Sequence, residues 1–580
     1  MLKRLFPYAQ KHRKYLMLAC ACVILETVFE LVIPTLMADI IDIGVANSDK
    51  GYILWKGAQM IICALLALIL GIMYARFAAT AGQGFGAELR KDEFERVQNF
   101  SFANTDHFST SSLITRLTSD VTILQTAISN GIRPLVRAPV MLLMALFFTF
   151  TINPELTMVF VVVTPILACG LFVIVRKVGP LYRLMQASID QINTVVQENL
   201  NAIRVVKSYV REGYEEEKFK KMNIALRDNS EHAFRTSVWN MPLFQYVMYT
   251  TIICILFFGG QMIFEGVMKV GELTGFLSYV MQILNSLMMI SAVFLMLTRS
   301  IASCERIIEV LDEVPDIHDP QNKDLIVNSG DITFHHVYFK YKTTAKEYVL
   351  SNIDMHIPAG STIGILGGTG SAKTSLVQLI PRLYDVSEGE VLIDGHNVKE
   401  YSIEHLRDSV GMVLQKNVLF SGTIRENLLW GNEHATDEDI DWACHVASVD
   451  EFIHQFPKGY ETDLGQGGVN VSGGQKQRLA IARALAKNPE ILIFDDSFSA
   501  LDFKTDAILR KELSKLTEKT QNTILIVGQR IASIMDADQI IVLDKGKIVG
   551  KGTHEELMKD CQVYQEIAYS QLSKEELADA

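Results

Sequence analysis

Cysteine, proline and tryptophan are scarce in this chain of 580 residues, which contains 8, 14 and 4 of them. The cysteines are scattered and several lie within apolar runs, so we expect no disulfide framework. Cys20 and Cys22 are the closest pair, but residues two apart on a helix do not share a face. No histidine cluster accompanies them, so a metal site there is not expected.

Basic residues are outnumbered in the second half of the chain. Residues 301–580 contain 27 Lys and Arg against 44 Asp and Glu, a net charge of −17, whereas residues 1–300 contain 27 against 22, a net charge of +5. A nucleic-acid-binding protein would need a basic patch on its soluble part, so this class is excluded. The basic start of the chain leads into an apolar segment too long for a secretory signal, so we expect no cleavable signal peptide.

Apolar sequence is abundant instead. Hydrophobic residues make up 49% of the chain and the mean hydropathy is +0.20, which is high for a soluble protein. A helix needs about 20 apolar residues to cross a bilayer, and helices satisfy their own backbone hydrogen bonds there. We predict six transmembrane helices, at residues 15–45, 52–80, 135–152, 156–175, 238–264 and 273–297.

The segments between these helices predict their orientation. The N-terminus and the long segments 81–134 and 176–237 are rich in Lys and Arg, whereas the short loops near 47–50, 153–155 and 266–272 carry little basic charge. The positive-inside rule therefore places the long segments in the cytoplasm. They also have helical periodicity, so we expect the membrane helices to continue beyond the bilayer as stalks.

A phosphate-binding loop lies in the acidic half, between the apolar run 362–366 and a helical pattern. In such a strand, loop and helix, backbone N–H groups bind phosphates, a lysine reaches the β- and γ-phosphates, and the next hydroxyl ligates Mg²⁺. We predict ATP and Mg²⁺ as cofactors, with Ala372 in place of a usual glycine but in a conformation that tolerates a Cβ. The loop residues are Gly367, Gly368, Thr369, Gly370, Ser371, Ala372, Lys373, Thr374 and Ser375.

Further motifs follow in a fixed order. Gln415 ends an apolar run, a turn that starts at Val471 opens a helical pattern, and a later apolar strand ends in Asp495 and Asp496. Together with the phosphate loop, these motifs resemble the ABC transporter family over essentially the full chain, most specifically over residues 331–570. The residues of the turn, which match the family's signature, are Val471, Ser472, Gly473, Gly474 and Gln475.

The resemblance implies roles for these residues. The signature turn would complete the ATP site of a neighbouring nucleotide domain, so one chain would not complete its own site and a dimer is implied. Tyr341 would stack on adenine, with Phe339 as the competing choice. Gln415 would be a Mg²⁺ ligand beside Thr374, and Asp495 would be the second metal-linked carboxylate.

Two positions depart from the family pattern. Asp496 stands where a competent site has a Glu that orients the attacking water, and Gln529 stands where the family has a His that contacts the γ-phosphate. A displacement of about 1 Å costs about 10²-fold in rate, and glutamine has no titratable imidazole. We expect this site to bind ATP and to hydrolyse it poorly.

The chain therefore resembles the degenerate-site subunit of bacterial heterodimeric ABC exporters, many of which are multidrug transporters. The resemblance implies a different partner half that has Glu and His in place, a location in the cell membrane, and export of amphipathic drugs, lipids or peptides. An ATP-gated regulator and a siderophore importer on the same fold are the alternatives.

The predicted architecture is an α-helical membrane domain of six transmembrane helices with the ABC exporter fold, followed by an α/β P-loop NTPase domain of the ABC ATPase type. Residues 1–300 would form the membrane domain, 301–330 a linker, 331–572 the nucleotide-binding domain and 573–580 a tail. By resemblance, contacts that couple the two domains are expected near residues 105–112 and 212–217.

Polar residues within the predicted spans are candidates for a substrate cavity. Glu26 and Glu30 are four residues apart and share a helix face, and a charge at mid-bilayer costs about 2.5–3.5 kcal/mol on insertion scales. They would either line a cavity that favours cationic or amphipathic cargo or form a buried hydrogen-bonded pair. Gln282 and Asn285, beside adaptable methionines, suit a binding wall or core packing equally well.

Overall fold

A computed structural model of the protein describes residues 2–342, 344–499 and 501–571. The chain divides into two compact units, and each is described by itself. The helical unit consists of Met1–Gln98 and Thr110–Glu313, and the sheet unit consists of Asn99–Ser109 and Val314–Ala580. The predicted tail at residues 573–580 lies outside the described part of the chain.

Long runs of apolar and helix-forming residues build the helical unit. A π-helical turn, Ile40–Val45, extends α2, and α4 belongs to the sheet unit. In chain order the helices up to residue 313 are α1 (Leu2–Lys11), α2 (Arg13–Asp39), α3 (Lys50–Gln98), α4 (Phe102–His107), α5 (Thr110–Thr115), α6 (Val121–Ser129), α7 (Ile132–Ile152), α8 (Pro154–Asn201), α9 (Ile203–Ser208), α10 (Glu212–Ser237), α11 (Asn240–Phe264) and α12 (Val270–Asp312).

Six helical segments among the described residues are long and apolar enough to cross a membrane, which confirms the predicted number. Each overlaps one predicted span. With 49 residues, α3 is about 74 Å long, whereas a bilayer core is about 30 Å thick. Helices of this length extend beyond the bilayer, as the sequence predicted. The segments are Arg13–Val45, Lys50–Gln98, Thr110–Ile152, Pro154–Asn201, Glu212–Phe264 and Val270–Ile290.

The last helix of this unit continues beyond the predicted span. The segment 301–330, predicted as a linker, begins with a helical sequence pattern, and α12 continues through this part to Asp312. Ile307 and Leu311 in this extension are buried and pack with residues of α3 and α6. Burial of an apolar helix face therefore keeps this segment in the helical unit.

The sheet unit contains two main sheets. The strands are β1 (Ile332–Phe339), β2 (Leu350–Ile357), β3 (Thr362–Gly367), β4 (Glu388–Ile393), β5 (His396–Asn397), β6 (Val410–Val413), β7 (Gly422–Thr423), β8 (Asp463–Leu464), β9 (Ile491–Asp495), β10 (Thr523–Gly528), β11 (Gln539–Asp544) and β12 (Lys547–Gly552). One sheet has the order β2-β1-β4-β5 and is antiparallel. The other has the order β12-β11-β3-β10-β9-β6, in which all neighbours are parallel except β11 and β12.

Helices connect these strands, and two more follow the last strand. They are α13 (Lys373–Gln378), α14 (Ile403–Asp408), α15 (Ile424–Leu429), α16 (Asp437–Val446), α17 (Asp450–Ile453), α18 (Gly473–Ala486), α19 (Phe503–Thr520), α20 (His554–Asp560) and α21 (Gln562–Gln571). The parallel strands are apolar on both faces, as expected for a sheet that is covered on both sides. In β9, for example, Ile491 and Ile493 pack into one apolar cluster, and Leu492 and Phe494 pack into the other. The predicted α/β class is confirmed.

Candidate nucleotide-binding site

The carboxyl ends of four neighbouring parallel strands carry the candidate site. The phosphate loop follows β3, Gln529 follows β10, Asp495 and Asp496 lie at the end of β9, and Gln415 follows β6. The strand register places Gly528 opposite Leu366 and Val527 opposite Asp495. In open α/β sheets ligands bind at this edge, so the fold brings these predicted site residues together.

Lys373 lies against its own loop. Its Nζ donates hydrogen bonds to the carbonyl oxygens of Gly367 at 2.7 Å and Gly368 at 2.9 Å. Burial lowers the pKa of the lysine, and the nearby carboxylates of Asp496 and Asp495 oppose this effect. A phosphate in the loop would give the ammonium group a charged acceptor, which makes a stronger hydrogen bond than a carbonyl oxygen.

Ala372 corrects one sequence-based expectation. Its backbone lies in the left-handed region, with φ +72° and ψ 24°, immediately before α13. We expected a conformation that a Cβ tolerates, but the left-handed region costs a residue with a Cβ about 1–2 kcal/mol. The chain reverses here from loop to helix, and alanine adopts the conformation that glycine would adopt without strain.

Asp495 and Thr374 form an oxygen-rich cluster that fits Mg²⁺. Asp495 is 1% exposed, and its Oδ1 accepts a hydrogen bond of 3.1 Å from the Thr374 hydroxyl. Its Oδ2 is buried and has no hydrogen-bond partner among the described residues. Burial raises the pKa of this carboxyl group, and the bond from Thr374 opposes the rise. A hard divalent cation prefers such oxygen ligands and would satisfy the unpartnered oxygen.

Asp496 is held by the loop that follows β6. The side-chain amide of Gln415 donates a hydrogen bond of 3.3 Å to Asp496 Oδ2. The backbone N–H of Asp496 donates to the carbonyl oxygen of Val527, and its φ of +48° lies in the left-handed region. Gln529 is exposed at the end of the neighbouring strand. The two residues that depart from the family pattern thus follow adjacent strands.

Tyr341 is the accessible aromatic residue for an adenine ring. It is 43% exposed, whereas Phe339 is 1% exposed, which favours Tyr341 over the competing choice. The Tyr341 hydroxyl lies 2.7 Å from the Ser375 hydroxyl, so the tyrosine leans over the start of α13. Its ring centroid is 5.1 Å from that of Tyr384, which packs against it edge to face.

The signature turn is built as a helix cap. The Ser472 Oγ accepts from the Gln475 backbone N–H at 3.3 Å, and the Gln475 side chain accepts from the Ser472 N–H at 2.8 Å. This reciprocal capping box explains why the sequence starts α18 here. Ser472 and Gly473 are exposed, and a Cβ on Gly473 would meet only open space. The turn lies on none of the four strand ends, and the positive end of a 14-residue helix faces outward.

Sequence reasoning missed Tyr384, which no motif marks. Its hydroxyl donates to Asp106 Oδ2 at 2.7 Å, and its ring centroid is 5.9 Å from that of Phe102. Both partners belong to α4, which begins before the predicted coupling segment 105–112 and overlaps its first residues. Tyr384 therefore contacts both α4 and the candidate adenine platform, Tyr341.

In the helical unit, the two glutamates of α2 are paired with arginines of α7. Glu26 is 3% exposed and its Oε1 pairs with Arg133, and with Arg137 at 3.4 Å. Arg137 also pairs with Glu30. Sequence reasoning did not single out these arginines, although Arg137 lies at the start of a predicted span and Arg133 lies two residues before it. The pairing favours the structural alternative over an anionic cavity wall.

The other cavity candidates lie on α12. The side-chain oxygen of Gln282 is buried without a hydrogen-bond partner among the described residues, and Asn285 is exposed. The second predicted coupling segment, 212–217, lies at the start of α10. Between α9 and α10, Tyr209 and Val210 are 75% and 80% exposed, so this turn presents two apolar side chains at the surface.

Comparisons with known proteins indicate one family. Residues 16–287 match the ABC transporter transmembrane region, and residues 350–499 match the ABC transporter domain. The chain is 39% identical over 567 residues to the uncharacterized ABC transporter ATP-binding protein YfiB of Bacillus subtilis, covering 97% of this chain and 98% of that protein. It is 28% identical to the ATP-dependent lipid A-core flippase of Syntrophus aciditrophicus, covering 100% of this chain and 95% of the flippase.

A solved structure of a bacterial Atm1-family ABC exporter with ATP bound has the same fold. The TM-score is 0.80 at 23% identity, and the match covers 97% of this chain and 99% of the other.

Proposed function

This chain belongs to the ABC transporter family as an exporter-type half-transporter, and we propose that it is the degenerate-site subunit of a heterodimeric exporter. In this proposal, it binds Mg²⁺ and ATP through Lys373, Thr374, Gln415 and Asp495 but hydrolyses ATP poorly. Its turn at Val471–Gln475 completes the site of a different half-transporter, in which Glu and His replace Asp496 and Gln529. Hydrolysis takes place mainly at that partner-based site.

The proposal is supported by the contrast between the signature turn and the chain's own nucleotide site. The exposed N-terminus of α18 keeps the full Ser472–Gln475 capping box, whereas the chain's own site has the shorter Asp496 hydrogen-bonded to Gln415. Phosphoryl transfer depends on positioning and electrostatics, so a shorter carboxylate and a glutamine at residue 529 impair hydrolysis more than binding. The chain thus keeps the complete signature turn, which would act on a partner's site, but lacks the Glu and the His at its own site.

The proposed cycle is alternating access. ATP between two nucleotide domains closes them and turns the transmembrane cavity outward, and hydrolysis resets it. The protein would lie in the cell membrane as a multi-pass subunit with its nucleotide domain in the cytoplasm. The proposed cargo is an amphipathic drug, lipid or peptide, and the relative named as a lipid A-core flippase supports this class.

The experiment measures Mg²⁺-dependent ATP hydrolysis by the chain alone and by its complex with a half-transporter that has the Glu and the His. We expect the chain alone to be nearly inactive and the complex to be active. Ser472→Ala in this chain should remove most of the ATP hydrolysis by the complex, because the turn acts on the partner's site. Thr553→Ala is the matched control, since it removes the same kind of capping hydrogen bond from α20.

Brisk hydrolysis by the chain alone would overturn both the degenerate site and the need for a different partner. Equal losses from Ser472→Ala and Thr553→Ala would mean that the turn serves only to cap its helix. Outward, ATP-dependent movement of a lipophilic dye by the complex in vesicles would exclude the ATP-gated regulator, and uptake of ferric siderophores would favour the importer.

A further inference from the structure

The side chain of Gln571 joins α21 to the segment that follows β10. Its Nε2 donates a hydrogen bond of 2.7 Å to the carbonyl oxygen of Gln529. Its Oε1 accepts a hydrogen bond of 2.9 Å from the backbone N–H of Ile531. One amide group therefore fixes the backbone on both sides of Arg530, directly at a residue of the candidate site.

The helix that carries Gln571 is firmly anchored. Tyr564 and Ala568 are completely buried and belong to the apolar cluster on one face of the parallel sheet. Residues 564, 568 and 571 have the spacing of one helix face, so the face that packs on the core also presents Gln571. Ile531, which begins a short 3₁₀ helix, is completely buried in the same cluster.

We propose that Gln571 is a positioning residue for Gln529. The segment between β10 and the 3₁₀ helix leaves the sheet, so its backbone groups need partners outside the ladder. Glutamine suits this place because its side chain offers both a donor and an acceptor, whereas glutamate offers only acceptors at neutral pH. The inference rests on the proposed function, in which Gln529 stands in place of the family's His and therefore lies beside the γ-phosphate of ATP.

The test compares ATP and ADP binding to the full-length chain in lipid nanodiscs, by displacement of a fluorescent ATP analogue in the presence of Mg²⁺. Because only ATP has a γ-phosphate, loss of Gln529 positioning should weaken ATP binding and spare ADP binding. We expect Gln571→Ala and Gln571→Glu to lower the ratio of ATP to ADP affinity by about threefold to tenfold, the range for one lost hydrogen bond. The unfolding temperature should not change.

Two further variants make the result specific. Gln565→Ala is the matched control on the same helix, since its side chain bonds the carbonyl oxygens of Met558 and Lys559 and should leave the ratio unchanged. Gln529→Ala should lower the ratio as much as Gln571→Ala, and the double variant should show no additional loss, because both act through one contact.

The outcomes separate the inference from the proposed function. An unchanged ratio in Gln571→Ala, with a lowered ratio in Gln529→Ala, would overturn the inference alone. Equal loss of ATP and ADP binding with a lower unfolding temperature, or an effect of Gln565→Ala of the same size, would also overturn it. If the wild-type chain bound no nucleotide, or if Gln529→Ala left the ratio of ATP to ADP affinity unchanged, the proposed role of the site itself would be overturned.

Discussion

The side-chain amide of Gln415 donates a hydrogen bond of 3.3 Å to Oδ2 of Asp496, so two of the four loops of the site meet at the residue that stands in place of the family's water-orienting Glu. Aspartate is one methylene shorter than glutamate, and this bond directs its carboxylate toward the loop after β6. The geometry thus gives a physical reason, beyond side-chain length, for the weak hydrolysis that we propose for this site.

Restoring the family residues should restore hydrolysis. We expect Asp496→Glu combined with Gln529→His to raise Mg²⁺-dependent ATP hydrolysis by the purified chain alone by about 10²-fold, because both groups act through positioning. Adding Lys373→Ala to the double variant should remove the gain, which assigns it to this chain's own phosphate loop. A double variant that hydrolyses ATP no faster than the wild type would show that other residues limit this site.

Replacing Ala372 by Gly should stabilise the sheet unit. Glycine adopts the left-handed conformation at residue 372 without strain, although it loses more backbone entropy on folding than alanine does. The expected net gain is about 0.5–1 kcal/mol in the free energy of unfolding, measured by denaturant titration.

Ala482→Gly, in the interior of α18, is the matched control for Ala372→Gly. It should lower the free energy of unfolding by about 1 kcal/mol, since that backbone is right-handed. A loss of stability in both variants would contradict the assignment of strain to Ala372.

The sequence predicted the parts of the fold and the site that local patterns encode. Six apolar stretches predicted six spans, and the motifs predicted the strand that precedes the phosphate loop and the strand that ends in Asp495. Contacts between residues far apart in sequence have no such pattern. Tyr384 reaches Asp106 across 278 positions, and Gln571 reaches Gln529 across 42, and neither pair has a motif. The pairing of Glu26 with Arg133 likewise became visible only once α2 and α7 were packed together.

The raised pKa of Asp495 predicts how pH affects the site. Because burial raises this pKa above 3.8, the folded chain binds more protons than the unfolded chain between the two values. Without Mg²⁺, this group's contribution to stability therefore increases as pH falls toward 3.8 and is lost as pH rises through the folded-state pKa. Mg²⁺ needs the ionised carboxylate, so its affinity should change in the opposite direction.

Titration of Mg²⁺ into the chain with ATP bound, followed by tryptophan fluorescence, measures this effect. We expect the Mg²⁺ affinity to fall as the solution is acidified. The fall should begin at a pH above the usual pKa of an aspartate. Asp495→Asn should bind Mg²⁺ weakly at every pH and retain only the pH dependence of ATP itself. An identical pH profile in both proteins would mean that Asp495 does not ligate the metal.

Breaking the charge cluster of α2 and α7 should destabilise the helical unit. Glu26 is buried and pairs with two arginines, so Glu26→Gln leaves Arg133 and Arg137 with Glu30 as their remaining carboxylate in the cluster. We expect a loss of about 3 kcal/mol, the low end for breaking a buried ion pair, measured as a lower unfolding temperature in lipid nanodiscs. Glu88→Gln, which breaks the exposed pair with Lys11, is the control and should lower the unfolding temperature much less. An unchanged unfolding temperature in Glu26→Gln, with altered transport of a cationic dye by the complex, would instead support the cavity-wall alternative. The structure favours the first outcome because the arginines already neutralise the charge that would attract a cation.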